Sequence, residues 1–209
     1  MPNRLPALIA GILLVAYWGR VLRLVYKIRK TTGRSANFAP REPLGMALRV
    51  LWYPAVVIWI AHPLLSAFRP NLIKPLFVMP ALVWAAVVVA AGAFAGTLVC
   101  WRKMGKSWRM GINPDEKTQL VVSGPYSYVR HPIYSLSSVL MLCTLVIVPT
   151  WPMLAACGVH LLLLQWEASR EERYLLQHHG QSYADYCRQV GRFFPRSLSR
   201  YGGVCSRDR

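Results

Sequence analysis

Five apolar runs alternate with polar connectors along the chain. The first, Leu5 to Gly19, fades through Arg20 and Arg23 to Tyr26. The second covers Met46 to Phe68, interrupted by Arg49 and by His62-Pro63. The third, Pro75 to Trp101, carries no charge between Val83 and Val99. Runs two and three can each supply the roughly 20 residues of a membrane-spanning helix. Runs four and five, Ile133 to Val148 and Trp151 to Trp166, are separated by Pro149-Thr150. Pro149 ends one helix and Pro152 suits the first turn of the next, which predicts a tight helical hairpin with arms short for a full span. The first run reads as a span and not a cleaved signal. Tyr17-Trp18-Gly19-Arg20 offers no small-residue cleavage site, and basic residues follow the apolar stretch instead of leading it.

The connectors set an orientation. Lys27, Arg29, Lys30, Arg34 and Arg41 lie between runs one and two, and only Arg69 and Lys74 between two and three. Run three is followed by Arg102, Lys103, Lys106, Arg109, Lys117 and Arg130, the hairpin turn has no charge, and the tail is arginine-rich. The positive-inside rule then places the N-terminus outside and the C-terminus in the cytoplasm, with five spans. Composition agrees. Charged residues are 16% of the 209, against roughly 25% in a soluble domain, while the net charge is +17 and the mean hydropathy +0.31. A disordered polycation is excluded by the 55% apolar content. Basic loops flanking spans point to anionic lipid headgroups as partners, not nucleic acid. Cys100, Cys143, Cys157, Cys187 and Cys205 are scattered without a Cys-x-x-Cys pair, which indicates neither a disulfide framework nor a metal site.

Chemistry concentrates on the predicted cytoplasmic side. In Ser123-Gly124-Pro125-Tyr126-Ser127-Tyr128-Val129-Arg130-His131-Pro132-Ile133-Tyr134, Gly-Pro sets a turn and Pro132 biases His131 away from helix. The helix start beyond it, with Arg130, can hold a carboxylate or phosphate, and Tyr126 and Tyr134 offer flat faces to an adenine. An interfacial belt of aromatics and arginine is the structural alternative. At the exit of run five, Glu167 and Glu171 share a helix face, with His160 seven residues before Glu167. Ionisable groups at the edge of a membrane helix are costly and mark candidate sites. The alternatives are pairing with Arg170 and Arg173, a solvated, salt-bridged helix end, which is the favoured reading for Glu172, and a hydrogen-bonded core histidine for His160. Gly180 then ends a helix, Ser182 is placed to cap the next, and Pro195 closes the segment.

This series resembles the isoprenylcysteine carboxyl methyltransferase family, which is related to membrane phospholipid N-methyltransferases. It consists of Gly-x-Tyr, Arg-His-Pro-x-Tyr, a hairpin, Glu171-Glu172-Arg173-Tyr174-Leu175 and Gly-x-x-Tyr-x-x-Tyr, between about Ser107 and Pro195. The resemblance implies an S-adenosylmethionine (SAM) site at Thr118, Gln119, Leu120, Val121, Tyr126, His131, Pro132, Ile133, Tyr134 and Glu171. Glu171 would pair with the cofactor's ammonium, and the carboxylate would face Arg130, His131 or the helix start. A lipophilic acceptor would enter from the bilayer between spans. One position departs from the family. Where the eukaryotic prenylcysteine enzymes place an arginine for the substrate carboxylate, four residues before the cofactor glutamate, this chain has Glu167. A carboxylate there repels a carboxylate acceptor and suits an amine, or acts as a base, while Arg170 is placed to substitute.

The expectation is therefore an all-α integral membrane protein of five transmembrane helices, the last two a hairpin. A small cytoplasmic cofactor-binding cap is expected from the 103–130 loop and the tail. Residues 1–101 form a three-span region and 102–209 the methyltransferase core, with Glu167, Arg130 and Arg170 as candidate catalytic residues and no metal. The alternatives are phospholipid N- or thiol S-methylation and, in a different class, an NADPH-dependent membrane reductase.

Overall fold

The computed structural model describes residues 4–33, 36, 43–77, 79–111, 120–197 and 199–202. Within them the regular secondary structure is helical. There are five α-helices: α1 (Arg4–Thr32), α2 (Pro43–Phe68), α3 (Pro80–Met104), α4 (Pro132–Ile147) and α5 (Trp151–Gln189). The first three are long and apolar enough to cross a membrane. At 16 residues, α4 is shorter than the usual span.

Each boundary has a local cause. Pro132 occupies the first turn of α4, and His131 before it is non-helical (φ −120°, ψ 61°). At the start of α5, Thr150 Oγ1 accepts from the Met153 backbone N–H at 3.3 Å, with Pro152 in the first turn. The fifth element outruns its apolar stretch, in keeping with the shared helix face of Glu167 and Glu171 and the helix stop expected at Gly180. The apolar run ends at Trp166, yet the helix continues far beyond it, because Glu, Arg, Leu and Gln are good helix formers. It breaks at Gly180, whose φ of 51° and ψ of −126° are outside the helical region.

The helices pack α1 on α2, α2 on α5 and α3 on α4. Ala86, Ala90, Ala93 and Thr97 form a buried small-residue stripe on α3, and Gly96 lies close against Leu136 of α4. Small residues let helices approach without relying on a hydrophobic drive that lipid does not supply. The interior between α1, α2, α3 and α5 is aromatic: Tyr17, Trp18, Trp52, Trp59 and Trp101. Polar threads cross it, with Trp59 Nε1 donating to Thr144 Oγ1 at 3.1 Å. His160 is the hydrogen-bonded core histidine of the structural alternative. Its Nδ1 accepts from Trp52 Nε1 at 3.0 Å, which leaves Nε2 to donate to Ser137 at 3.1 Å. Val57 and Val88, by contrast, are 63% and 70% exposed in mid-helix, an outer apolar face suited to lipid.

The connectors meet at opposite ends. Leu76 N donates to Pro149 O at 2.7 Å, joining the α2–α3 connector to the hairpin turn. Met110 N donates to Ala36 O at 2.9 Å, joining the α1–α2 connector to the segment after α3.

Candidate functional site

The start of α4 is held by the tail that follows α5. Val129 and Gly191 form a parallel bridge. Arg130 N donates to Gly191 O (2.8 Å), His131 N to Arg192 O (3.0 Å) and Ser135 Oγ to Phe193 O (2.8 Å). Tyr186 OH donates to Tyr126 O at 2.5 Å, fixing the 3-10 turn at Gly124–Ser127. Gly191 permits this lacing, since a Cβ there would lie 1.9 Å from Phe194 O.

Behind this latch is a charged knot. Glu172 Oε1 accepts from Arg130 Nε (3.0 Å) and Nη2 (2.8 Å) and from Arg192 Nε (3.0 Å). The expected solvated, salt-bridged helix end is salt-bridged but largely enclosed, because the tail folds back over it. Burial disfavours the Glu172 charge, but His131, Arg192 and Arg130 outweigh it and hold the carboxyl down at about 2. Arg130 Nη1 also donates to Cys187 O (3.1 Å) and Val190 O (2.5 Å), so this guanidinium ties the tail to the hub. His131 lies between two carboxylates, with Nδ1 3.4 Å from Glu171 and Nε2 3.3 Å from Glu172. Burial works against its charge, yet the two glutamates raise its pKa above the ordinary value. Glu171 also accepts from Tyr134 OH at 2.5 Å, and the Tyr134 and His131 rings stack at 5.3 Å.

Two cavities adjoin these groups. The first is lined by Leu120, Val121, Tyr126, Arg130, His131, Pro132, Ile133, Tyr134 and Glu171, together with Tyr183 and Tyr186. The structure thus gathers the described members of the sequence-derived cofactor set around one space. Thr118 and Gln119 lie outside the described residues. Tyr126 OH is buried there without a hydrogen-bond partner among the described residues, and burial keeps its proton on. The second cavity is aromatic and deeper among the helices, lined by Tyr17, Trp18, Trp52 and Trp101 and bounded by Arg49 and Glu167. The two share a wall of Trp108, Arg109, Ile133 and Tyr134. Arg170 pairs with Glu167 through Nη1 at 2.9 Å.

Arg49 and Trp108 belong to the site but not to the sequence-derived set. Arg49 had a signal, since a charge inside an apolar run is a candidate by default. Trp108 had none, because a connector has no periodicity to show which way a side chain faces. Gly111 completes this corner with a φ of 94°, and a Cβ there would lie 2.6 Å from Glu167 Oε1 and 3.1 Å from Arg49 Nη2. Only glycine lets the backbone pass so close to the ion pair without strain.

No solved structure matches the chain. Among curated proteins it is similar to the nickel-cobalt-cadmium resistance protein NccN of Alcaligenes xylosoxydans xylosoxydans, 30% identical over 94 residues. That alignment takes in 44% of this chain and 44% of the relative, so the match spans less than half of either protein. Residues 84–177, from α3 through the hairpin to Glu171 and Glu172, match the isoprenylcysteine carboxyl methyltransferase family model, in agreement with the motif series.

Proposed function

We propose that this is an integral membrane SAM-dependent methyltransferase acting on a lipophilic acceptor. The observation that carries the reading is the pair of adjoining cavities. Both are largely apolar and aromatic-walled, one reaching Glu171, His131 and Arg130 and the other set among the helices beside Arg49 and Glu167, and Tyr134, Ile133, Trp108 and Arg109 divide them. The family match over 84–177 supports the same chemistry.

The first cavity fits the cofactor's groups. Glu171 is placed to accept an ammonium, the Tyr126 hydroxyl, unpartnered among the described residues, offers a donor, and Tyr134, Tyr183 and Tyr186 with Leu120 and Val121 offer flat and apolar surface. When bound, the cofactor supplies a methyl group on a sulfonium, transferred by in-line displacement. That chemistry needs alignment and exclusion of water more than a strong base. His131 fixes Glu171 from one side and Tyr134 from the other. Arg130 acts as a positioning residue that holds Glu172, the tail and therefore the α4 start. The acceptor's apolar part would occupy the second cavity, with its reactive end at the shared wall. In this reading the chain has five spans, with the 103–130 loop and tail forming a cytoplasmic cap.

Calorimetric titration of the protein in detergent with S-adenosylhomocysteine and with NADPH tests this. S-adenosylhomocysteine should bind, and Glu171→Ala should weaken it at least about tenfold, or 1.4 kcal/mol, with an unchanged helical spectrum. Binding of NADPH alone would assign the cavity to a reductase instead.

A further inference from the structure

We infer that the second cavity, set among the helices, binds a carbonyl oxygen through the indole N–H groups of Trp18 and Trp101. Its ligand then carries an ester or a ketone within an otherwise apolar body. The inference rests on the methyltransferase reading for the ligand's role as acceptor, but not for its binding. Of the tryptophans in the aromatic interior, two have partners. Trp52 Nε1 donates to His160 Nδ1 at 3.0 Å, and Trp59 Nε1 to Thr144 Oγ1 at 3.1 Å. Trp18 Nε1 and Trp101 Nε1 are buried with no hydrogen-bond partner among the described residues. The two residues are 8% and 2% exposed, and both line the second cavity.

An indole nitrogen donates and cannot accept. A buried donor left unmade costs about 1–3 kcal/mol, and buried tryptophans ordinarily find an acceptor. The neighbouring rings offer no more than a weak N–H···π contact. Trp18 comes from α1 and Trp101 from α3, and the Tyr17 ring contacts both, with centroids 5.6 Å and 5.1 Å away. Two unmade donors from different helices therefore border one largely apolar space. A pure hydrocarbon would fill that space and leave both unmade. A hydroxyl would bring a further proton that needs an acceptor of its own. A carbonyl oxygen has two lone pairs and no proton to place, and the chain on either side of it packs on Trp52, Leu48 and Leu163. A few polar groups in an apolar pocket fix a ligand's orientation in this way.

The test uses nanodiscs of ether-linked zwitterionic lipid, a bilayer without competing carbonyls. A bromine-terminated alkane quenches the cavity tryptophans. Unbrominated competitors of equal length displace it: an alkane, an ester and a mid-chain ketone, the last two with a carbon-13 carbonyl. At least one carbonyl probe should displace it at about tenfold lower mole fraction than the alkane, or 1.4 kcal/mol. The stronger of the two names the kind of carbonyl, and its infrared band should move to lower wavenumber than in lipid alone. The double variant Trp18→Phe, Trp101→Phe should bring the carbonyl probes level with the alkane, with Trp52 and Trp108 left to report. Should that variant not fold, benzothienylalanine at either position removes the N–H and keeps the ring shape. Each single replacement should then cost several-fold of the preference, and no change at either overturns the inference. So does a carbonyl preference that survives the double variant, or an alkane that matches both carbonyl probes in the wild type, the result expected if trapped water satisfies the donors. Failure to bind S-adenosylhomocysteine in the wild type would sink the methyltransferase reading alone, since the displacement arms need no cofactor.

Discussion

His131 faces carboxylates from both ring nitrogens, Glu171 at 3.4 Å and Glu172 at 3.3 Å, and to donate to both it must carry two protons. That couples the knot to pH from two directions. Glu172 has a folded pKa of about 2, below its ordinary 4.5, so its contribution is complete above 4.5 and is lost as pH falls toward 2. His131 has a folded pKa raised above 6.5, so its contribution is complete below 6.5 and is lost as pH rises through the folded value. Thermal unfolding in detergent should show both contributions intact between those limits. Glu172→Gln should destabilise by about 3 kcal/mol, because it leaves the buried Arg130 without its counter-charge, and the loss should shrink toward acid. His131→Gln should flatten the decline on the alkaline side. A variant pair whose difference from wild type does not change with pH would show that the knot is structurally idle. The motif around His131 and Glu171 was legible in the sequence. The ownership of Glu172 was not, because its partners Arg130 and Arg192 lie 42 and 20 residues away.

At the scale of elements, apolar run length and proline placement located all five helices. For α1, α2 and α3, long and apolar enough to cross a membrane, they did so because such a helix has no polar side to blur its ends. The reach of α5 beyond Trp166 was legible by other signs, from Glu167 and Glu171 on one helix face and from the helix stop at Gly180. What was not legible is the latch that follows it, because backbone pairing between a turn and a tail leaves no periodic trace. The latch rests on Gly191, whose missing Cβ makes room for Phe194 O. Gly191→Val should open that turn and free the donors of Arg130 N and His131 N. The melting temperature should fall by several degrees, as expected for a loss of about 1–2 kcal/mol, and S-adenosylhomocysteine binding should weaken with it. A melt and an affinity both like wild type would show that the tail does not hold the α4 start.

For the whole molecule, the loop charges and the packing of the connectors carry the same parity. The weakly charged α2–α3 connector meets the uncharged hairpin turn through Leu76 and Pro149, while the connector that follows the basic last turn of α1 meets the segment after α3 through Ala36 and Met110. Helices that alternate direction must gather their connectors in this way, and the net charge of +17 then falls mostly on one side. The acidic groups of the knot lie beside the end that Met110 marks, since Arg49 reaches both Met110 and Glu167. Orientation can be read by cysteine labelling. On a background with the five native cysteines replaced, Asn71→Cys reports the α2–α3 connector and Ser199→Cys the tail, both at exposed positions. A membrane-impermeant maleimide should label Asn71→Cys in intact cells and Ser199→Cys only after permeabilisation. The reverse pattern would invert the protein and put the Glu171 cavity on the side away from the cell's pool of SAM, which is incompatible with the proposed reaction. Labelling of both positions in intact cells would mean that an odd number of spans does not separate them, and would remove α4 or α5 from the membrane.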